Sequence, residues 1–173
     1  MTNRPSLRWL LLSVLVVVVD QYTKQLVIAK FALFDRLEVL PFFDLVRMHN
    51  TGAAFSFLAN ASGWQNWFFT AVAVLVSGLI LGWFFRQPAG RIVVPLGLVL
   101  VLGGAIGNLI DRVRQGYVVD FVLFYYDRWS FPAFNVADAA ITVGVILLLF
   151  DGFFLEGRRP PAGSDQVSAS SGR

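Results

Sequence analysis

The sequence has no cysteine and a single histidine, His49, among 173 residues. The first absence excludes disulfides, a thiol nucleophile, a thiolate metal site and lipidation of a cysteine in the chain itself. The second leaves any zinc site dependent on carboxylates for nearly all its ligands, which is uncommon for zinc. Charge is scarce too. Asp, Glu, Lys and Arg make up 14% of residues, and the net charge of +3 is spread without a block of one sign. No nucleic-acid partner is expected. Apolar residues fill the space instead: 57% of the chain is hydrophobic and its mean hydropathy is +0.67. A soluble domain of this length is nearer half apolar. The excess lies in long runs, so the bilayer is the expected solvent.

Four runs suit membrane crossings, at about 7–29, 64–85, 92–112 and 134–154. Pro5 suits the start of the first, and Arg4 and Arg8 flank it. Its largely apolar part, Leu7 to Val19, is too short to span alone, so the helix must continue through Asp20, Thr23 and Lys24. A basic start before a short apolar run also fits a cleaved signal peptide. Asp20-Gln21, however, stands where small residues should mark the cleavage site. Trp64 to Phe85 carries no charge, and Trp64 and Trp67 suit the interface. Pro95 is tolerable near the start of a membrane helix. Gly103 and Gly107, four apart, read as close helix packing. Gly104, Asn108 and Arg112 form a second stripe, and packing requires neither of the last two.

The stretches 30–63 and 113–133 are too polar to cross a membrane and too apolar for free linkers. They read as a small sheet on the membrane surface. Phe43–Asn50 partly alternates as a strand does, and Asn50-Thr51-Gly52 signals a turn. Ala53–Leu58 suits a returning strand or a short helix, and Tyr117–Phe124 a strand or a re-entrant segment. The fold class is thus an all-α integral membrane protein: four transmembrane helices with a small β-sheet on the outer surface, one domain over 1–155. The tail 156–173, rich in Gly, Pro and Ser, is expected to be disordered.

Lys and Arg divide evenly between the two sides of a four-crossing chain. The first helix and the short Arg86–Arg91 turn break the tie and put both termini in the cytoplasm. Asp20, Lys24, Asn108, Arg112, Asp120 and Asp138 then fall together on the outer side. Asp120 and Asp138 stand among apolar neighbours, where a charge costs about 2.5–3.5 kcal/mol at a helix centre and less near the interface. Asp20 and Lys24, four apart on one helix face, read as a local ion pair, as a polar cavity lining, or both. A simple pair predicts that losing Asp20 alone is worse than losing both partners. Two carboxylates in a low-dielectric cleft share a proton, which suits aspartic peptide hydrolysis. It also suits a proton-coupled transporter, and a scaffold role stays open. Ser56 with His49 is a weaker hydrolase candidate, because no nucleophile-elbow pattern surrounds Ser56.

Five blocks in order resemble bacterial lipoprotein signal peptidases (signal peptidase II): Asp20-Gln-Tyr-Thr-Lys24, Asn50-Thr-Gly52-Ala-Ala-Phe55-Ser56, Gly104-Ala-Ile-Gly107-Asn108-Leu-Ile-Asp111-Arg112, Val119-Asp120-Phe121 and Phe134-Asn135-Val136-Ala137-Asp138. The resemblance covers roughly residues 7–155. It implies an aspartic endopeptidase of the inner membrane that cuts diacylglyceryl-modified prolipoproteins just before the lipidated cysteine. It makes Asp120 and Asp138 the catalytic pair. Asp20, Lys24, Asn50, Gly52, Gly104, Asn108, Arg112, Asn135 and Ala137 would support the site or the substrate. No metal or cofactor is implied, membrane lipid is the medium, and the chain is expected to act as a monomer.

Overall fold

The structure, a computed structural model, describes residues 5–52 and 64–155. The strand-or-helix choice at Ala53–Leu58, Ser56 and the expected tail 156–173 lie outside them. A 3-10 turn, Leu7–Trp9, leads into α1 (Leu10–Lys30). Then follow β1 (Arg36–Leu40), β2 (Phe43–Asn50), α2 (Trp64–Phe85), α3 (Val93–Gln115), β3 (Val118–Tyr126), β4 (Trp129–Ser130) and α4 (Val136–Phe150). A π turn, Asp151–Leu155, prolongs α4. Four helices are long and apolar enough to cross a membrane, so this is a multi-pass membrane protein with a small sheet, as the sequence indicates. The boundaries move by a few residues. α3 runs on to Gln115 because Gly116, at φ 82°, supplies its left-handed cap. α4 starts only at Val136 because Asn135 is its N-cap.

α3 is the central helix. In its most apolar window 67% of residues are buried, against 28% in α1, 6% in α2 and 11% in α4. The other helices present Leu, Val, Phe and Trp outward, as lipid requires. Ile80 and Phe84 of α2 pack on Val94, Leu98, Val99, Val101 and Leu102 of α3. Small residues let the backbones meet. A Cβ on Gly103 would stand 2.9 Å from the Ser13 carbonyl oxygen of α1, and one on Gly97 would stand 2.9 Å from the Gly144 oxygen of α4. Gly107 faces α1 with Gly103, so the GxxxG pair is a packing seam.

Gly104 meets α4. A Cβ there would lie 2.3 Å from the Ala137 carbonyl oxygen and 2.7 Å from Ile141 Cγ1. Backbone cannot yield as a flexible side chain can, so α4 must shift. Gly104→Ala is expected to cost about 1–3 kcal/mol as overpacking does, read as a lower unfolding temperature in detergent. An unchanged melting temperature would mean that the two helices have slack.

The sheet runs β1-β2-β3-β4, antiparallel throughout, with β2 bulged against β3 between Leu45 and Met48. It sits at the bundle end where α1 and α3 finish and α4 starts. β1 was only part of a mixed stretch in the sequence. It is fastened by Arg36, which pairs with buried Asp44 and lies 4.7 Å from the Tyr125 ring centre. Arg47 of β2 caps α1 by donating from Nη1 to the Phe31 and Ile28 carbonyls at 2.8 and 3.3 Å. Phe121 and Val122 donate their N–H groups to Phe134 O, at 3.0 and 2.9 Å. Pairing with β2 settles the expected Tyr117–Phe124 segment as a strand, from Val118 to Tyr126, and the bridge to Phe134 carries the start of α4 to the middle of β3.

Candidate active site

Asp120 belongs to β3 and is 3% exposed. It stands opposite Met48 of the neighbouring strand. Asn50 Nδ2 donates to its Oδ2 at 3.0 Å, and Asn135 Nδ2 to its Oδ1 at 2.7 Å. Burial, then the charge of Asp138, pushes the Asp120 carboxyl up to about 7, against the two amide donors and the Lys24 charge. Asp138 occupies the third position of α4. Its N–H donates to Asn135 Oδ1 at 2.9 Å, and its Oδ2 accepts from the Asn135 N–H at 3.2 Å, a reciprocal capping box. Its Oδ1 accepts from Asn108 Nδ2 at 2.7 Å. Asn135 therefore bridges the two carboxylates, through its side chain to one and its backbone to the other.

Beneath the pair lies a buried ionic cluster. Lys24 is fully buried, and its Nζ meets Asp20 Oδ2 at 2.8 Å, Asp111 Oδ2 at 2.9 Å and Asn108 Oδ1 at 2.9 Å. Asp20 Oδ1 accepts the Ala137 N–H at 2.9 Å, a second carboxylate at the start of α4. The Asp20–Lys24 pair is thus one side of a triad. Asp111 also accepts the Val119 N–H at 3.2 Å, which ties α3 to the residue before Asp120. Gln21 Nε2 donates to Asp111 Oδ1 at 2.8 Å.

Gly52, at φ 97°, adopts a conformation that L side chains rarely take, and a Cβ there would stand 2.3 Å from Phe69. Its N–H donates to Asn50 Oδ1 at 2.8 Å and so turns the Asn50 NH₂ toward Asp120. Arg112 donates to Asn108 O at 3.4 Å and lies 5.6 Å from the Phe69 ring centre. Ala137 is fully buried, close to Gly107.

The acid pair and the nine supporting residues expected from the resemblance all lie at this one end of the bundle. Asp20, Lys24, Asn50, Asn108, Asn135 and Ala137 form one hydrogen-bonded network with the two acids. Gly52 and Gly104 shape it, and Arg112 flanks it. Asp111 and Gln21 belong to the same network but were not picked out as site residues. Asp111 was legible, because it follows Gly104 and Gly107 on one helix stripe. Gln21 gave no signal beyond standing next to Asp20. His49 stacks on Tyr117 at 3.7 Å between ring centres, and burial, then the Arg47 charge, lowers its pKa.

These features define a polytopic membrane protein with a pair of buried acids where its helix bundle meets a surface sheet. The chain matches the family described as signal peptidase (SPase) II over residues 12–154. It belongs to that family and is a membrane protease. It is 54% identical to the lipoprotein signal peptidase of Acinetobacter baumannii over 155 residues, covering 90% of this chain and 88% of that one. Against the lipoprotein signal peptidase of Shewanella oneidensis the identity is 49%, over 86% of this chain and 88% of the other. A solved structure described as a bacterial membrane enzyme superposes with a TM-score of 0.77 at 31% identity, covering 89% of this chain and 98% of that one.

Proposed function

We propose that this protein is an aspartic endopeptidase that removes the signal peptide from diacylglyceryl-modified prolipoproteins, cutting just before the lipidated cysteine. The carrying observation is the bridge through Asn135, which holds Asp120 and Asp138 in one hydrogen-bonded unit. With its carboxyl pushed up to about 7 by burial and by the neighbouring acid, Asp120 carries a proton in part near neutrality. The ionised member takes a proton from the attacking water. The protonated member donates to the scissile carbonyl oxygen as the water oxygen bonds to the carbonyl carbon. The tetrahedral intermediate then collapses, the C–N bond breaks, and the leaving nitrogen takes the proton that the first acid removed from water. The Asn50, Asn108 and Asn135 amides keep both side chains oriented. An apolar cavity of about 330 Å³, lined by Phe131, Phe134, Ala139, Thr142 and Val143, opens beside Asp138. It suits an apolar substrate side chain or an acyl chain. The lipoprotein substrate follows the names of the relatives, and the diacylglyceryl group and the cut position follow the resemblance of the five sequence blocks. The test is incubation of the purified protein with a diacylglyceryl-modified prolipoprotein and mass measurement of the products. Two fragments divided immediately before the modified cysteine are expected. Intact substrate, or proton flux into liposomes without cleavage, would favour a transporter instead.

The site is assigned to the outer face of the inner membrane, with both termini cytoplasmic. The basis is the first-helix flank and the Arg86–Arg91 turn. Because the chain lacks cysteine, introduced thiols report orientation directly. Glu38 and Ala89 are both exposed, at opposite ends of the bundle. In intact cells with a permeabilised outer membrane, an impermeant thiol reagent is expected to label Glu38→Cys and spare Ala89→Cys. The reverse pattern would invert the protein.

A further inference from the structure

Three asparagines surround the two acids, and each amide is pinned in one sense. Asn50 Oδ1 takes the Gly52 N–H and Asn135 Oδ1 takes the Asp138 N–H, so both turn their NH₂ groups toward Asp120. Backbone fixes these two. Asn108 is fixed by a side chain: Lys24 Nζ stands 2.9 Å from its Oδ1, and its Nδ2 donates to Asp138 at 2.7 Å. An ammonium has only donors, so the oxygen of the amide must face it and the NH₂ must face away. Asn135 Nδ2 also reaches Asn108 Oδ1, but at 3.2 Å, and it is shared with Val119 O and Asp120. Lys24 is itself held by Asp20 and Asp111, which leaves its Nζ little freedom.

We propose that Lys24 is a positioning residue for Asp138: by fixing which way the Asn108 amide points, it keeps a hydrogen-bond donor on Asp138 and holds that carboxylate where it can take the proton of the attacking water. This deepens the dyad reading and rests on it. The charged groups around Asp138 are Asp120 on β3, Arg112 and Asp111 on α3, and Lys24 and Asp20 on α1. β2 offers the neutral Asn50. A through-space effect of the Lys24 charge must therefore be separated from its grip on Asn108.

The experiment is the pH dependence of kcat for a diacylglyceryl-modified peptide. Lys24→Met/Asp20→Asn removes one positive and one negative charge together with the donor to Asn108. Lys24→Gln/Asp20→Asn makes the same charge change but keeps a donor. The Met variant is expected to move the acid limb up by about one to two pH units, the value of a lost charge-assisted donor. The Gln variant should restore the wild-type limb. Asn108→Ala should move it as the Met variant does, and combining it with that variant should move it no further. Equal shifts for Met and Gln, additive shifts, or loss of rate without a shift would overturn the proposal. Should the Met variant not fold, Asn108→Asp decides. It keeps an oxygen toward Lys24 but turns oxygen, not NH₂, to Asp138, so an unmoved limb overturns the proposal. Asp138→Asn serves as the control. If it stays active, the dyad reading itself has failed, whatever the limbs do.

Discussion

Asp120→Asn and Asp138→Asn are each expected to lower the cleavage rate about 10²–10⁴-fold, the cost of removing a general acid or base. Asn is nearly isosteric with Asp but can neither take nor give the required proton. The losses should be non-additive, since either acid alone lacks its partner. Stability separates this from a structural role. Asp120→Asn removes a carboxyl whose pKa stands near 7 in the folded protein against 3.8 as its ordinary value. A raised pKa gives stability that is fully present below pH 3.8 and lost as pH rises through 7. The difference corresponds to an upper limit on the order of 4 kcal/mol. The variant lacks that loss, so its melting temperature relative to wild type should climb between pH 4 and pH 8. Asp138→Asn weakens the α4 capping box and should cost about 1 kcal/mol. The measurements are cleavage rate and melting temperature for both singles and the double. A single variant retaining more than roughly a tenth of the rate would remove that residue from the chemistry.

The second large effect lies in the buried cluster. Lys24→Met strands Asp20 and Asp111 together and should cost about 3–5 kcal/mol, as breaking a buried ion pair does. The pair reading of the sequence made Asp20→Ala worse than its combination with Lys24→Ala. Asp111, 2.9 Å from Lys24, reverses that order. After Asp20→Ala the lysine keeps one carboxylate, whereas the double change leaves Asp111 unpaired. Lys24→Met/Asp20→Asn/Asp111→Asn leaves no charge in the cluster and should recover much of the loss. Thermal unfolding in detergent orders the variants. A triple variant as unstable as Lys24→Met would mean that packing, not charge, is the source.

The membrane crossings were legible because hydropathy over about 20 residues is a one-dimensional property. The shared location of the acids was legible too, since counting crossings puts every second helix end on one side. Asp120 and Asp138 stood out because a carboxylate among apolar neighbours has few reasons to be there. The sheet was legible as polar-apolar mixture and partial alternation, but β1 was not, because its five residues are all exposed and carry no burial pattern.

Partnership was decided by tertiary structure alone. Spacing joined Asp20 to Lys24 because both lie on one helix; it put Asp111 on the stripe of Gly104 and Gly107 but could not show that Asp111 reaches the same lysine from another helix. Likewise Asn135 bridges the acids only because β3 pairs with the segment before α4 and brings it alongside Asp120. A chain without cysteine has no disulfide to hold such a constellation and relies on helix packing and buried hydrogen bonds. Those depend on approach distances, as at Gly104 and Ala137, that no local pattern encodes.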